Sequence, residues 1–100
     1  MPNIEIHGYG YQAFNDDETR RTVFDLRAKI LNLFQKQPYF ADMVVTIVPD
    51  LTVDGQIKQQ PFLRLVTSPA LDFNEIIELL LKLNMDIEVQ GLKVFYPKKK

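Results

Sequence analysis

The chain has no cysteine. That removes disulfides, thiolate metal sites and cysteine nucleophiles together, and it fits a reducing compartment such as the cytosol. Histidine occurs once, at His7, and a single imidazole without thiols makes a poor metal site, so no cofactor is expected. Neither sign of charge dominates: the formal net charge is −1, which gives the chain as a whole no pull toward nucleic acid or acidic membranes. No apolar run approaches the ~20 residues of a membrane helix, and the N-terminus has neither the basic start nor the apolar stretch of a signal peptide. Linkers and low-complexity stretches are absent as well. The expectation is a single soluble, cytoplasmic domain over residues 1–100, with one core.

What is present alternates between strand and helix patterns. From Asn3 to Tyr9, Ile4 and Ile6 fall on one face and Asn3, Glu5 and His7 on the other, which reads as a first strand. Gly8, Gly10 and the polar residues to Asn15 form a loop. In "NDDETRR", Asn15 or Asp16 can cap a helix whose dipole favours Asp17 and Glu18 in its first turn. The helix is expected to run to about Gln37. Its apolar stripe is Val23, Leu26, Ile30 and Leu33, widened by Phe24, Leu31 and Phe34, and Pro38 helps to stop it. "MVVTIV" (Met43 to Val48) is apolar on both faces, as a central or interface strand would be.

The Asp54-Gly55 pair predicts a type I′ turn in a small hairpin. "PFLRLVT" is a third strand. Asp72 with Glu75 makes a capping-box-like start to a second helix, lined on one face by Phe73, Ile76, Ile77, Leu80 and Leu83 and ending near Asn84. The last strand, "DIEVQGLKVFY", changes phase at Gly91, which a bulge would reconcile.

The order is β-α-β-β-α-β. Right-handed crossovers place both helices on one face of a four-stranded sheet, an α+β two-layer sandwich. The other face stays open, and strand 2 carries one apolar stripe too many for solvent, which points to an oligomer that covers it. Two folds share this order. In the ferredoxin-like fold strands 2 and 3 are neighbours. In the tautomerase fold the two β-α-β units meet along strands 1 and 3.

The letters favour the second. "PNIEIH" from Pro2 resembles the opening strand of 4-oxalocrotonate tautomerase, including a histidine five residues after the proline. "VPDLTVDGQIKQQPFL" (Val48 to Leu63) resembles the corresponding stretch of macrophage migration inhibitory factor, with its Val-Pro-Asp and a second proline, Pro61, before the next strand. The chain is therefore similar to the tautomerase superfamily along most of its element order. That resemblance implies a homotrimer, a small 2-oxo or 2-hydroxy acid as substrate, and loss of Met1 to free the Pro2 nitrogen. A free α-amine titrates near ~8, and apolar burial with nearby cations lowers it toward the range a proton shuttle needs. Pro2 would take a proton from one carbon of the acid and return it at another, isomerising keto and enol forms.

One departure is plain. The arginine that family members carry just after the first strand is missing: Gln12 sits near that position, and Arg20 or Arg21 could reach the same region. Each candidate also has a purely structural reading. Pro2 can simply start a strand, since proline lacks an N–H and is tolerated there. Arg64 is either a bidentate carboxylate clamp or, preferably, an ion pair with Glu5 across a subunit interface. Lys36 falls near the substrate-binding lysine of the migration-factor group, yet it also suits a helix C-terminus. Tyr39, with Phe40, either lines a substrate pocket or closes the core below the helix. His7 reads as an interface or surface residue. "GYGY" is no phosphate cradle, and Lys98 to Lys100 read as a solvated tail.

Overall fold

A computed structural model of the chain describes residues 3–9, 15–48, 61–66, 73–89 and 94–96. Its elements are β1 (Asn3–His7), α1 (Asp17–Phe34), a 3-10 turn (Phe40–Asp42), β2 (Val44–Ile47), β3 (Phe62–Val66), α2 (Phe73–Leu81), β4 (Asp86–Val89) and β5 (Val94–Tyr96). Gly8, at φ 92°, turns the chain out of β1 in a region only glycine enters freely. Asp16 is the cap of α1: its carboxylate accepts from the Glu18 amide at 3.2 Å and from the Thr19 hydroxyl at 2.6 Å. At the far end α1 stops at Phe34, three residues short of the expected Gln37. Proline pushes the residue before it out of the α region, so Pro38 acts upstream and the chain leaves through tighter turns such as Gln37 N–H to Phe34 C=O, 2.9 Å. Asn84 adopts φ 58° just after α2, a left-handed residue of the kind that closes helices.

The strands form one mixed sheet in the order β2-β1-β3-β4-β5. β1 and β2 are parallel, β3 and β4 are parallel, and the two pairs meet along an antiparallel β1–β3 seam that sets Ile4 opposite Leu65 and Glu5 opposite Arg64. β1 thus lies between β2 and β3, so the neighbour relation on which the ferredoxin-like alternative rests is not made. The first four strands of that order are the four expected. The fifth corrects the sequence reading: "DIEVQGLKVFY" is not one bulged strand but two, since β5 turns back antiparallel on β4 with Val89 opposite Val94 and Ile87 opposite Tyr96. A reversal resets the side-chain alternation, which accounts for the phase change at Gly91 without a bulge. The Asp54-Gly55 turn, the Asp72 cap, Gly91 itself and the C-terminal lysines lie outside the described residues.

Strand alternation sends Ile4 and Ile6, Val45, Leu63 and Leu65, and Ile87 and Val89 to one face, where all are buried. Val23, Ile30 and Phe34 of α1 and Ile76, Ile77 and Leu80 of α2 belong to the same buried cluster, so both helices cover that face. The result is a small two-layer α+β domain. Two expectations from α1 and β2 are corrected. Phe24 is 53% exposed rather than part of the stripe, because it sits about 100° round the helix from the buried Val23. Of the two readings of β2, central or interface, the central one is corrected: β2 is an edge strand, with Val44 45% exposed.

The Val48 amide donates to Ile6 C=O at 2.9 Å, so the even-numbered residues of β2 turn their amides and carbonyls toward β1 and the odd-numbered ones turn outward. Arg27, on α1, donates from Nε to the outward carbonyl of Val45 at 3.2 Å.

Candidate functional site

The chemistry gathers on the sheet face that the helices leave uncovered. Alternation places Glu5 and His7 of β1 there, and the register adds Phe62 and Arg64 of β3 and Asp86 and Glu88 of β4. Glu5 lies at the centre. His7 Nε2 is 2.9 Å from Glu5 Oε1, and because a carboxylate can only accept, this ring nitrogen is the donor of the pair. The same oxygen is 3.7 Å from Arg64 Nη1, while Arg64 Nη2 is 3.2 Å from Glu88 Oε2. Phe62 supports both basic groups. The His7 ring stacks on it at 4.9 Å and 12° between planes, and the Arg64 guanidinium carbon stands 5.7 Å from its centroid, within cation–π range. His7 is only 4% exposed, against the surface or interface position expected from the sequence. Two residue spacings produce this: Glu5 is one pleat away on the same strand, and Phe62 is directly opposite in the register.

The expected ion pair between Arg64 and Glu5 is present, but within one chain across the β1–β3 seam. The reach of Arg64 to Glu88 was missed. Its signal is that both sit at the same register step of parallel β3 and β4, which is unreadable until strand pairing is known. With carboxylates on two sides, the guanidinium is already committed.

The other candidates lie elsewhere. Pro2 is outside the described residues, as are Met1 and Gln12. Because α1 runs back along the sheet before β2 starts beside Asn3, the segment after α1 returns to the end of the sheet where β1 begins. Lys36 is exposed there. Tyr39 is half-buried, its ring 6.3 Å from that of Phe34, and with Phe40 it packs against the core on the helix side. Arg64 is on the opposite side of the sheet, so the structure does not gather Arg64 and Tyr39 into one pocket. Arg20 and Arg21 open α1 and therefore stand at the other end of β1; Arg20 Nη2 is 3.2 Å from Asp17 Oδ1. Next to the masked start of the chain, Asn3 Oδ1 is buried with no hydrogen-bond partner among the described residues.

Among the described residues, two titrating groups are displaced from their ordinary values. Burial pushes the Tyr9 phenol up. The Thr19 hydroxyl first, and then the Glu18 amide, hold the Asp16 carboxyl below the usual carboxylate range. Among the described residues no group of three or more His, Cys, Asp or Glu side chains could hold a metal ion, and no helix is long and apolar enough to cross a membrane. No family model matches the chain, and neither a curated protein nor a solved structure matches it.

Proposed function

We propose that this chain is a tautomerase-like domain that assembles as a homotrimer and, once Met1 is removed, uses the Pro2 nitrogen as general base in keto–enol isomerisation of a small 2-oxo or 2-hydroxy acid. The observation that carries the reading is the antiparallel β1–β3 seam joining two parallel β-α-β units, the arrangement that distinguishes the tautomerase sheet from the ferredoxin-like one. The path of α1 supports it too, since Lys36 and Tyr39 return to the end of the sheet where β1 begins at Asn3, the residue that follows Pro2 in the chain. The free Pro2 nitrogen would have the chemistry a proton shuttle requires, a secondary amine with a reference value near ~8 that apolar burial would lower. The acid's carboxylate and the developing enolate need positive charge nearby, and Lys36 is the described candidate. Replacing Pro2 by alanine and following phenylpyruvate or 2-hydroxymuconate tautomerisation tests the claim. Rates should fall by at least tenfold; equal rates in both proteins end it.

A second reading is favoured by Arg64. Its guanidinium is held by Glu5 and Glu88 rather than left to meet a substrate carboxylate. That supports a non-catalytic assembly or binding module on the same fold. Mass spectrometry of untagged protein separates the two readings: an intact Met1 makes the Pro2 nitrogen an amide, which is not basic, and leaves only the second.

A further inference from the structure

Phe24 is 53% exposed, although α1 already buries Val23, Ile30 and Phe34 against the sheet. A single exposed ring is common on a protein surface, so what surrounds Phe24 decides its meaning. At about 100° per residue, Ala28 stands on the side of α1 turned away from the core. Phe24 and the half-buried Leu31 lie on one shoulder of that side, and Asp25 and Lys29 on the other. Arg27 is drawn aside toward β2 by its bond to the Val45 carbonyl. We propose that α1 pairs with α1 of a second copy of this chain, antiparallel about a two-fold axis beside Ala28, with Phe24 of each copy packed on Leu31 of the other.

The order of charges along the helix selects this occupant. In an antiparallel pair that sets Asp25 level with Lys29 of the second copy, the same offset brings Glu18 to Lys36 and Phe24 to within one residue of the level of Leu31. The two-fold axis repeats each contact in the other half. A parallel pair sets Asp25 beside Asp25 and Lys29 beside Lys29, like on like. Glu18, Asp25, Lys29 and Lys36 are all exposed. Among the described residues the ion pair along α1 joins Arg20 to Asp17, so these four charges are uncommitted within the chain. Exposed ion pairs add little energy but fix register, while burial of the two phenylalanines supplies the attraction. One helix against one helix belongs to the small class of interfaces. The pair is therefore weak, with a Kd on the order of 0.1 mM, and chains at ~10 µM stay mostly apart at this contact. The contact lies on the helix side of the domain, away from the sheet face that a trimer would cover, and does not depend on the proposed isomerase reading.

Light scattering of the full chain from about 10 µM to about 1 mM tests the pairing. The mean particle mass should rise toward twice its dilute value. Phe24→Ala, Asp25→Lys and Lys29→Asp should each weaken association by about fivefold or more, and Asp25→Lys combined with Lys29→Asp should restore it to within about threefold of the parent. The chain has no cysteine, so Ala28→Cys gives a second readout. Its thiol lies beside the axis and should link two copies under mild oxidation faster than that of Glu78→Cys, at an exposed position of α2. The proposal is overturned by a mass that stays constant with concentration, by single variants that associate like the parent, by a double variant that fails to recover, or by equal cross-linking at the two thiols.

Discussion

The β1–β3 seam is the joint on which the domain depends, and Leu65→Ala measures what it is worth. Leu65 is fully buried and stands between Ile4 of β1 and Val89 of β4, themselves 0% and 2% exposed. The substitution removes three carbons; at ~0.8 kcal/mol per buried methylene the transfer loss alone is about 2.4 kcal/mol. Neighbours fixed in a sheet cannot collapse fully into the space, so the cavity adds to that loss and brings it to about 3 kcal/mol, within the roughly 2–5 kcal/mol seen for such truncations. In a chain of 100 residues this lowers the melting temperature by about 12–24 °C, at about 4–8 °C per kcal/mol. Phe24→Ala is the control: it deletes a larger side chain that is 53% exposed and should change stability by about 0.5 kcal/mol or less. Urea unfolding followed by far-UV circular dichroism gives both values, with the slope checked for constancy. A Leu65→Ala loss under about 1 kcal/mol at unchanged slope, or a Phe24→Ala loss of similar size to it, would refute the placement of β3 in the core and of Phe24 outside it.

Other perturbations probe the ends of the helices. Asp16→Ala should lower helix content and stability at neutral pH, whereas Asp16→Asn, also a good cap, should retain most of both. The Asp16 carboxyl is held below its ordinary range in the fold. Its contribution is therefore fully present above the unfolded-state value of about 3.9 and is lost as pH falls through the lower folded value. The stability gap between Asp16→Ala and the parent should accordingly narrow in acid titrations below about pH 4; a gap that widens there contradicts the cap. At the end of α2, Asn84→Gly should be neutral to within about 0.5 kcal/mol. Asn84→Val should cost about 1–2 kcal/mol, because a β-branched residue does not tolerate φ 58°. Thermal melts of the pair check this, and equal stabilities would argue against the left-handed closure.

Local signals were legible in adjacent letters, whereas pairing stood open between two folds there and only the resemblance set strand 1 beside strand 3. Asp16 with Asp17 and Glu18 marked the start of α1, and Asn84 the end of α2, because caps are written in a few adjacent letters. The end of α1 was read too late, since Pro38 acts on the residues before it. Val44 and Val45 gave β2 an apolar look on both faces, yet whether a strand is central or at an edge depends on partners distant in the chain, and Val44 turned out half-exposed. The same holds for His7. On the sequence it shares a polar face with Asn3 and Glu5, and nothing there announces that Phe62 will lie flat against it. Arg64 stood out as a charge in an apolar strand, and its pair with Glu5 was foreseen; that the pair lies within one chain follows only from the register. Pro2, on which the proposed chemistry turns, is outside the described residues.

The contact between Arg27 and the Val45 carbonyl has a consequence for behaviour in a crowded solution. An exposed strand margin is a template on which foreign chains can grow by adding one ladder of bonds after another. Here a guanidinium from α1 occupies one of the few acceptors such a newcomer would have to engage, and it does so with a charged donor, which is harder to displace than a neutral one. Losing that plug, as in Arg27→Met, leaves the helix intact but offers the acceptor to strangers, so the long-term solubility of the domain rests in part on a side chain with no share in its core.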